Sequence, residues 1–255
     1  MKAPSLFILP ETDTWSDITR ATKGPPMSLR LSLSITLLAL SASALSAQSL
    51  PKGYYIQGYI GATQLQDTNL SGTIGGSSQS VFGDFDTGYG IGLAVGREIP
   101  QWSNGNIGTR IELELSYRDN DVDSLNFTGN GGGSEVNTSG DITSASIFAN
   151  ILFDFKQQGK FTPYAGFGVG AQRTDFGLSY GPGVTIQDSD TSFALQAIAG
   201  VSYDLNDATA LTFDARYGRA FNVSSPRLAP NGVSTGSVED DLDNLSLNFG
   251  VRFTF

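Results

Sequence analysis

Leu245-Ser-Leu-Asn-Phe-Gly-Val-Arg-Phe-Thr-Phe255 closes the chain with an apolar residue at every second position. Successive side chains of a strand point to opposite faces. One face of this strand therefore carries Leu245, Leu247, Phe249, Val251, Phe253 and Phe255, and the other carries Ser246, Asn248, Gly250, Arg252 and Thr254. About seven earlier segments repeat the pattern to varying degrees.

The candidate strands run over residues 54–65, 87–97, 108–118, 142–155, 162–173, 192–205, 209–218 and 244–255. Most match the 9–11 residues of a tilted strand crossing a bilayer. The second sets Tyr89, Ile91, Leu93 and Val95 against small residues, and the third sets Ile111, Leu113, Leu115 and Tyr117 against Arg110, Glu112, Glu114 and Arg118. The seventh sets Leu211, Phe213, Ala215 and Tyr217 against Thr212, Asp214 and Arg216. No amphipathic helix is available to cover the apolar faces. The expected fold is all-β, an eight-stranded antiparallel up-and-down transmembrane β-barrel preceded by a signal peptide. Ile91, Leu93, Val95, Leu113, Leu115, Leu211, Phe213, Leu247 and Phe249 face lipid, and polar side chains face the interior.

Connections over residues 66–86, 119–141, 174–191 and 219–243 are long and polar, whereas 98–107, 156–161 and 206–208 are short. Outer-membrane barrels have short periplasmic turns and long outer loops. The expected location is the outer membrane, with both termini in the periplasm. Tyr54, Phe153, Phe155, Tyr164, Tyr203, Phe253 and Phe255 are expected at the periplasmic rim, and Tyr89, Tyr117, Phe193 and Tyr217 at the outer rim.

The 255 residues include no Cys and no His. Mean hydropathy is -0.09, too low for a bundle of membrane helices. Leu31 to Leu40 is the one helix-like apolar run and is too short to span a bilayer. With Arg30 before it and Ala42, Ser43, Ala44, Ser46 and Ala47 after it, it fits a signal peptide over 27–47 starting at Met27. Cleavage is expected after Ala47, with Ser46 or Ala44 as alternatives. Residues 1–26 are expected to be an upstream extension, and 48–255 the barrel domain. Residues 1–47 hold four of the 15 basic and three of the 25 acidic residues, which leaves 11 against 22 in the mature chain. That balance argues against a nucleic-acid partner.

Gly88-Tyr-Gly-Ile-Gly-Leu-Ala-Val-Gly-Arg97, Arg110-Ile-Glu-Leu-Glu-Leu-Ser-Tyr-Arg118, Pro163-Tyr-Ala-Gly-Phe-Gly-Val-Gly170 and the Phe-terminated last strand resemble the OmpA-like, opacity-type small outer-membrane barrels. The resemblance covers the whole mature chain and implies an eight-stranded barrel. Its members serve in adhesion, envelope integrity or modest pore activity. Some relatives append a peptidoglycan-binding domain, and the expectation is that this anchoring role is absent here. Phe255, with Phe253, resembles the signal read by the barrel-assembly machinery.

The inward charges Arg110, Glu112, Glu114, Asp214, Arg216 and Arg252 form the main constellation. The interior of an eight-stranded barrel is barely wide enough for side chains, and an unpaired buried charge is strongly unfavourable. A polar plug is the first expectation, and a narrow channel for ions or small solutes is the alternative. Catalysis is not expected, because a serine hydrolase usually needs a base such as His; a lipid-active enzyme remains as a remote alternative. No cofactor and no metal site are expected. The glycine strings lack dinucleotide-binding spacing and open no helix. Asp119-x-Asp121-x-Asp123 resembles the start of a calcium loop, but Ser124 and Asn130 stand where such a loop needs Gly and Glu. The expected role is structural or surface-interacting, through acidic outer loops. Expected partners are outer-membrane lipids and lipopolysaccharide, the barrel-assembly machinery, and a surface ligand at the loops.

Overall fold

The computed structural model describes the backbone of residues 52–66, 68–74, 77–128, 134–135, 139–180, 184–228 and 234–255, and the side chains of 52–66, 80, 82–124, 140–177, 188–224 and 239–255. The extension 1–26, the signal segment 27–47 with its cleavage position, and Asn130 lie outside the described residues. Among the described residues no helix is long and apolar enough to cross a membrane. The strands are β1 Tyr54–Leu65, β2 Thr68–Ile74, β3 Ser77–Phe85, β4 Gly88–Glu98, β5 Ile107–Thr128, β6 Ser134–Glu135, β7 Ser139–Phe155, β8 Phe161–Tyr180, β9 Val184–Asn206, β10 Thr209–Leu228 and β11 Ser234–Thr254.

Eight of them form an antiparallel ring in the order β1, β4, β5, β7, β8, β9, β10, β11 and back to β1. The closing seam pairs β1 with β11 from Tyr55 opposite Thr254 to Leu65 opposite Asn244. The quoted terminal stretch is thus the strand that shuts the barrel. Phe255 takes part, donating its N–H to the Tyr54 carbonyl (2.9 Å) and accepting from Gly53 N–H (3.0 Å). The same end carries the short turns, which main-chain bonds stitch into a rim: Glu98 to Gly53, Lys156 to Asn106, Asp204 to Lys160 and Thr254 to Ala208.

The other end differs from expectation. Stretches expected as loops over 119–141, 174–191 and 219–243 are largely strand, so that β5 and β7–β11 run 17–23 residues each. Twenty residues of strand span roughly 65 Å, far more than a tilted crossing of a band about 25 Å tall requires. The hairpin β2–β3 fills the same upper wall, with β3 on β5 and β2 on β11. The short breaks below it are bridged by Asp86 N–H to the Asp121 carbonyl and Gln66 N–H to the Asp243 carbonyl.

The cause is a change of phase in the sequence pattern. Lower down, Leu113, Leu115, Phe213, Leu247 and Phe249 are about half exposed on the outside, while Glu112, Glu114, Asp214 and Asn248 are buried inside. Ile91 and Leu211 also face outward, half-buried, beside Leu93 and Val95. Higher up the arrangement inverts. Leu65, Phe85, Val122, Ile142, Phe148, Phe176, Ala194, Ala220, Val223 and Leu242 form one buried apolar cluster, and Asp119, Asp121, Asp123, Arg173, Asp175 and Asp243 occupy the outer surface. The alternation that makes a strand persists throughout. Only the face assigned to apolar residues swaps, so a polar average concealed strands.

Two outcomes follow. Leu113→Lys places a charge near the middle of the apolar belt and should cost about 2–4 kcal/mol in reversible urea unfolding from lipid vesicles. Leu242→Ala should cost about 2–5 kcal/mol in the same measurement, as truncation of a packed core residue does; a value near zero would mean that the upper cluster is not a core.

Candidate functional site

Seven strands send polar side chains into the waist of the barrel, because alternate residues of each point inward. Glu114 on β5 lies at the centre, fully buried. Three hydrogen-bond donors reach its carboxylate, Tyr59 Oη (2.5 Å), Asn150 Nδ2 (2.7 Å) and Gln196 Nε2 (3.0 Å), and Arg216 forms an ion pair with it, its Nη1 at 2.6 Å. Arg216 also binds Asp214 through Nε (2.8 Å) and Nη2 (3.2 Å), and its guanidinium lies 4.1 Å from the centre of the Tyr59 ring. Asp214 accepts further bonds from Tyr164 Oη (2.8 Å) and Asn248 Nδ2 (3.0 Å). The chain of contacts crosses the lumen from β5 to β10.

A second layer lies toward the short-turn rim. Arg110 grips Asp154 with Nε (2.7 Å) and Nη2 (2.9 Å), and donates through Nη1 to Tyr55 Oη (2.9 Å). Tyr55 Oη donates in turn to Glu112 (2.9 Å). Asn150 links the layers by also donating to Glu112 (3.2 Å). Arg252 stands 5.6 Å from the centre of the Tyr55 ring.

The six charges expected in the lumen thus all lie inside, and the structure supplies the counterpart across the barrel that Glu114 lacked on its own strand. Their shell is mostly neutral: Tyr55, Tyr59, Asn150, Tyr164 and Gln196. Tyr164 was expected at the periplasmic rim. It is instead buried, 4% exposed, and bound to Asp214. Its parity with Gly166, Gly168 and Gly170 on the small face of β8 was the available sign. An amphipathic tyrosine suits either place, so composition could not separate them.

Glycine on β4 makes the tyrosine shell possible. A Cβ on Gly92 would overlap the Tyr59 ring, and one on Gly96 the Tyr55 ring. The alternating glycines are the floor on which two rings lie flat. Among the described residues no three Asp, Glu, His or Cys side chains come close enough to hold a metal ion. Asp119, Asp121 and Asp123 line the outer face of β5, where alternate residues stand about 7 Å apart along a strand, instead of curling round a loop.

Comparison with known proteins places this geometry. Residues 32–255 match the family model described as the outer membrane protein beta-barrel domain. No curated protein matches the chain. Among solved structures, OprG from Pseudomonas aeruginosa aligns with a TM-score of 0.55 at 15% identity, covering 80% of this chain and 97% of that one. Neisserial surface protein A aligns at 0.47 with 17% identity, over 80% of this chain and 97% of its own. The outer membrane protease OmpT from Escherichia coli aligns at 0.49 with 10% identity, over 82% of this chain and 99% of its own. At these identities the likeness concerns fold alone. With its closed antiparallel ring, its outward apolar belt and a family match that runs to the last residue, the chain belongs to the outer membrane protein beta-barrel domain family.

Proposed function

We propose that this outer-membrane barrel is a closed, non-conducting structural element that carries a tall, acidic, strand-built surface beyond the membrane. The termini and short turns lie in the periplasm, and the extended ends of β5 and β7–β11 lie outside. Lipopolysaccharide and a ligand at the outer end are its partners in this reading, and Phe255 is its mark for the assembly machinery. The role is architectural, not catalytic.

One observation carries the proposal. The waist is spanned by Glu114 and Arg216 with their shell of Tyr59, Asn150 and Gln196, all buried. The apolar cluster above adds a second, dry obstruction on the same axis. A hydrated ion would have to displace a carboxylate held by three hydrogen bonds and an ion pair. Leaving one charge of a buried pair uncompensated costs about 3–5 kcal/mol.

Planar-bilayer recording of refolded mature protein tests it, with a heat-modifiability gel to confirm the barrel. Rare, small or absent current steps are expected. Large, stable conductance would overturn the closed reading and favour a solute channel. Arg216→Leu should destabilise the barrel by about 3–5 kcal/mol in urea unfolding, because it leaves Glu114 and Asp214 buried without their cation, whereas Arg216→Leu with Glu114→Met and Asp214→Asn should recover most of that loss, because the three charges then leave together.

A further inference from the structure

The barrel wall is not sealed along its full height. The β9–β10 ladder ends at Ala194 opposite Ala220, yet β9 continues upward on β8 as far as Val184 and β10 on β11 as far as Leu228. The register of β10 slips between Ala220 and Val223, and Asn222 adopts a left-handed φ of 51°. Asn tolerates that conformation better than most residues. Two carboxylates hold the irregular segment: Asn222 N–H donates to Asp241 and Ser224 N–H to Asp190, each at 2.9 Å.

A cleft of about 580 Å³ occupies this gap, lined by Asp190, Thr191, Ser192, Phe193, Asn222 and Ser224, with Phe221 beside them. Phe193 and Phe221 stack at its foot, with ring centres 5.9 Å apart. The hydroxyl offered to the cleft is that of Thr191, exposed on the outer face of β9. A second hollow of about 430 Å³ lies on the outer wall directly below, against Phe167, Leu195, Ala197, Tyr217, Arg219 and Phe221. The two share Phe221 and straddle the level where the outer surface changes from apolar to polar.

We propose that the β9–β10 seam binds a glycolipid of the outer leaflet, its alkyl chain along the lower hollow and an uncharged sugar head in the cleft. Hydroxyl, amide and carboxylate groups beside exposed aromatic rings match the alternating C–H and O–H faces of a saccharide. Charge argues against a phosphate head. Two cations flank the cleft: Arg219 is bound to Asp243 and lies 3.9 Å from Asp241, and Arg173, opposite Thr191, is bound to Asp175, so with Asp190 the local balance stays negative. The inference rests on the proposed outward orientation of this end.

Native mass spectrometry of the purified barrel, released from a sugar-free polyoxyethylene detergent, tests the site. The probes are glucosyl diacylglycerol, phosphatidylglycerol with the same chains, and methyl glucoside. Retention of the glucosyl lipid should exceed that of phosphatidylglycerol and of the free glycoside by about tenfold. Phe193→Ala and Thr191→Val should each lower it by about fivefold. Heat-modifiable migration shows that each variant is folded. Equal retention of the two lipids, glycoside binding as tight as lipid binding, or folded variants that retain lipid unchanged would each overturn the site. Orientation is read separately, by labelling Asp121→Cys on intact cells with a membrane-impermeant maleimide, since the native chain has no cysteine. A lack of labelling would refute the orientation without altering what the purified barrel retains.

Discussion

Everything in this molecule depends on the pairing of β1 with β11. Lipid offers no hydrogen bonds, so a strand edge left open in the bilayer would expose its peptide groups at several kcal/mol each. Joining the first strand to the last removes both edges at once, from Tyr55–Thr254 up to Leu65–Asn244. Closure also fixes the interior. Eight strands enclose a lumen about one layer of side chains across, and whatever points inward must be satisfied by what points inward from the opposite wall. Glu114 and Arg216 meet because the barrel is narrow, and the glycines at 92 and 96 exist because two tyrosine rings must share that space with them.

The wall serves two solvents in succession. Against lipid it is apolar outside and polar inside; against water it is the reverse. The switch occurs within single strands. On β5 it falls between Tyr117 and Asp119 on the outer face, and between Asn120 and Val122 on the inner. No break in the backbone is needed, because side-chain alternation is independent of which face is apolar. The upper section is built like a small soluble barrel around its own apolar core, continuous with the membrane section beneath it.

That continuity explains what was legible from residues alone. The eight membrane strands, their order and the inward set Arg110, Glu112, Glu114, Asp214, Arg216 and Arg252 could be read because strict alternation with Leu, Ile and Phe leaves one register. The upper strands could not. Val122 between Asp121 and Asp123, or Leu242 between Asp241 and Asp243, offers a single apolar residue among acids, which looks like a loop until other strands supply Ile142 from β7, Phe176 from β8 and Val223 from β10. The partner of Glu114 was equally hidden, since it comes from β10, roughly a hundred positions along the chain. Register within a strand is a local property, whereas contact across a lumen depends on how all eight strands close.

The position of the β9–β10 opening follows from the same constraint that closes β1 on β11. Below Ala194 and Ala220, the outer surface carries Leu195, Phe213 and Tyr217, and unpaired peptide groups there would face hydrocarbon. Above, Thr191, Ser189 and Asp190 mark a surface where water or a polar guest can take their place. A bulge is tolerable only on that side. It re-aims Phe221 outward beside Phe193 while Val223 stays in the core, so the irregularity costs little packing and separates two strands. The wall therefore parts only where hydrogen-bond partners other than its own neighbours are at hand, and an amphiphile seated at that height brings both the apolar and the polar partners that the two halves of the seam require.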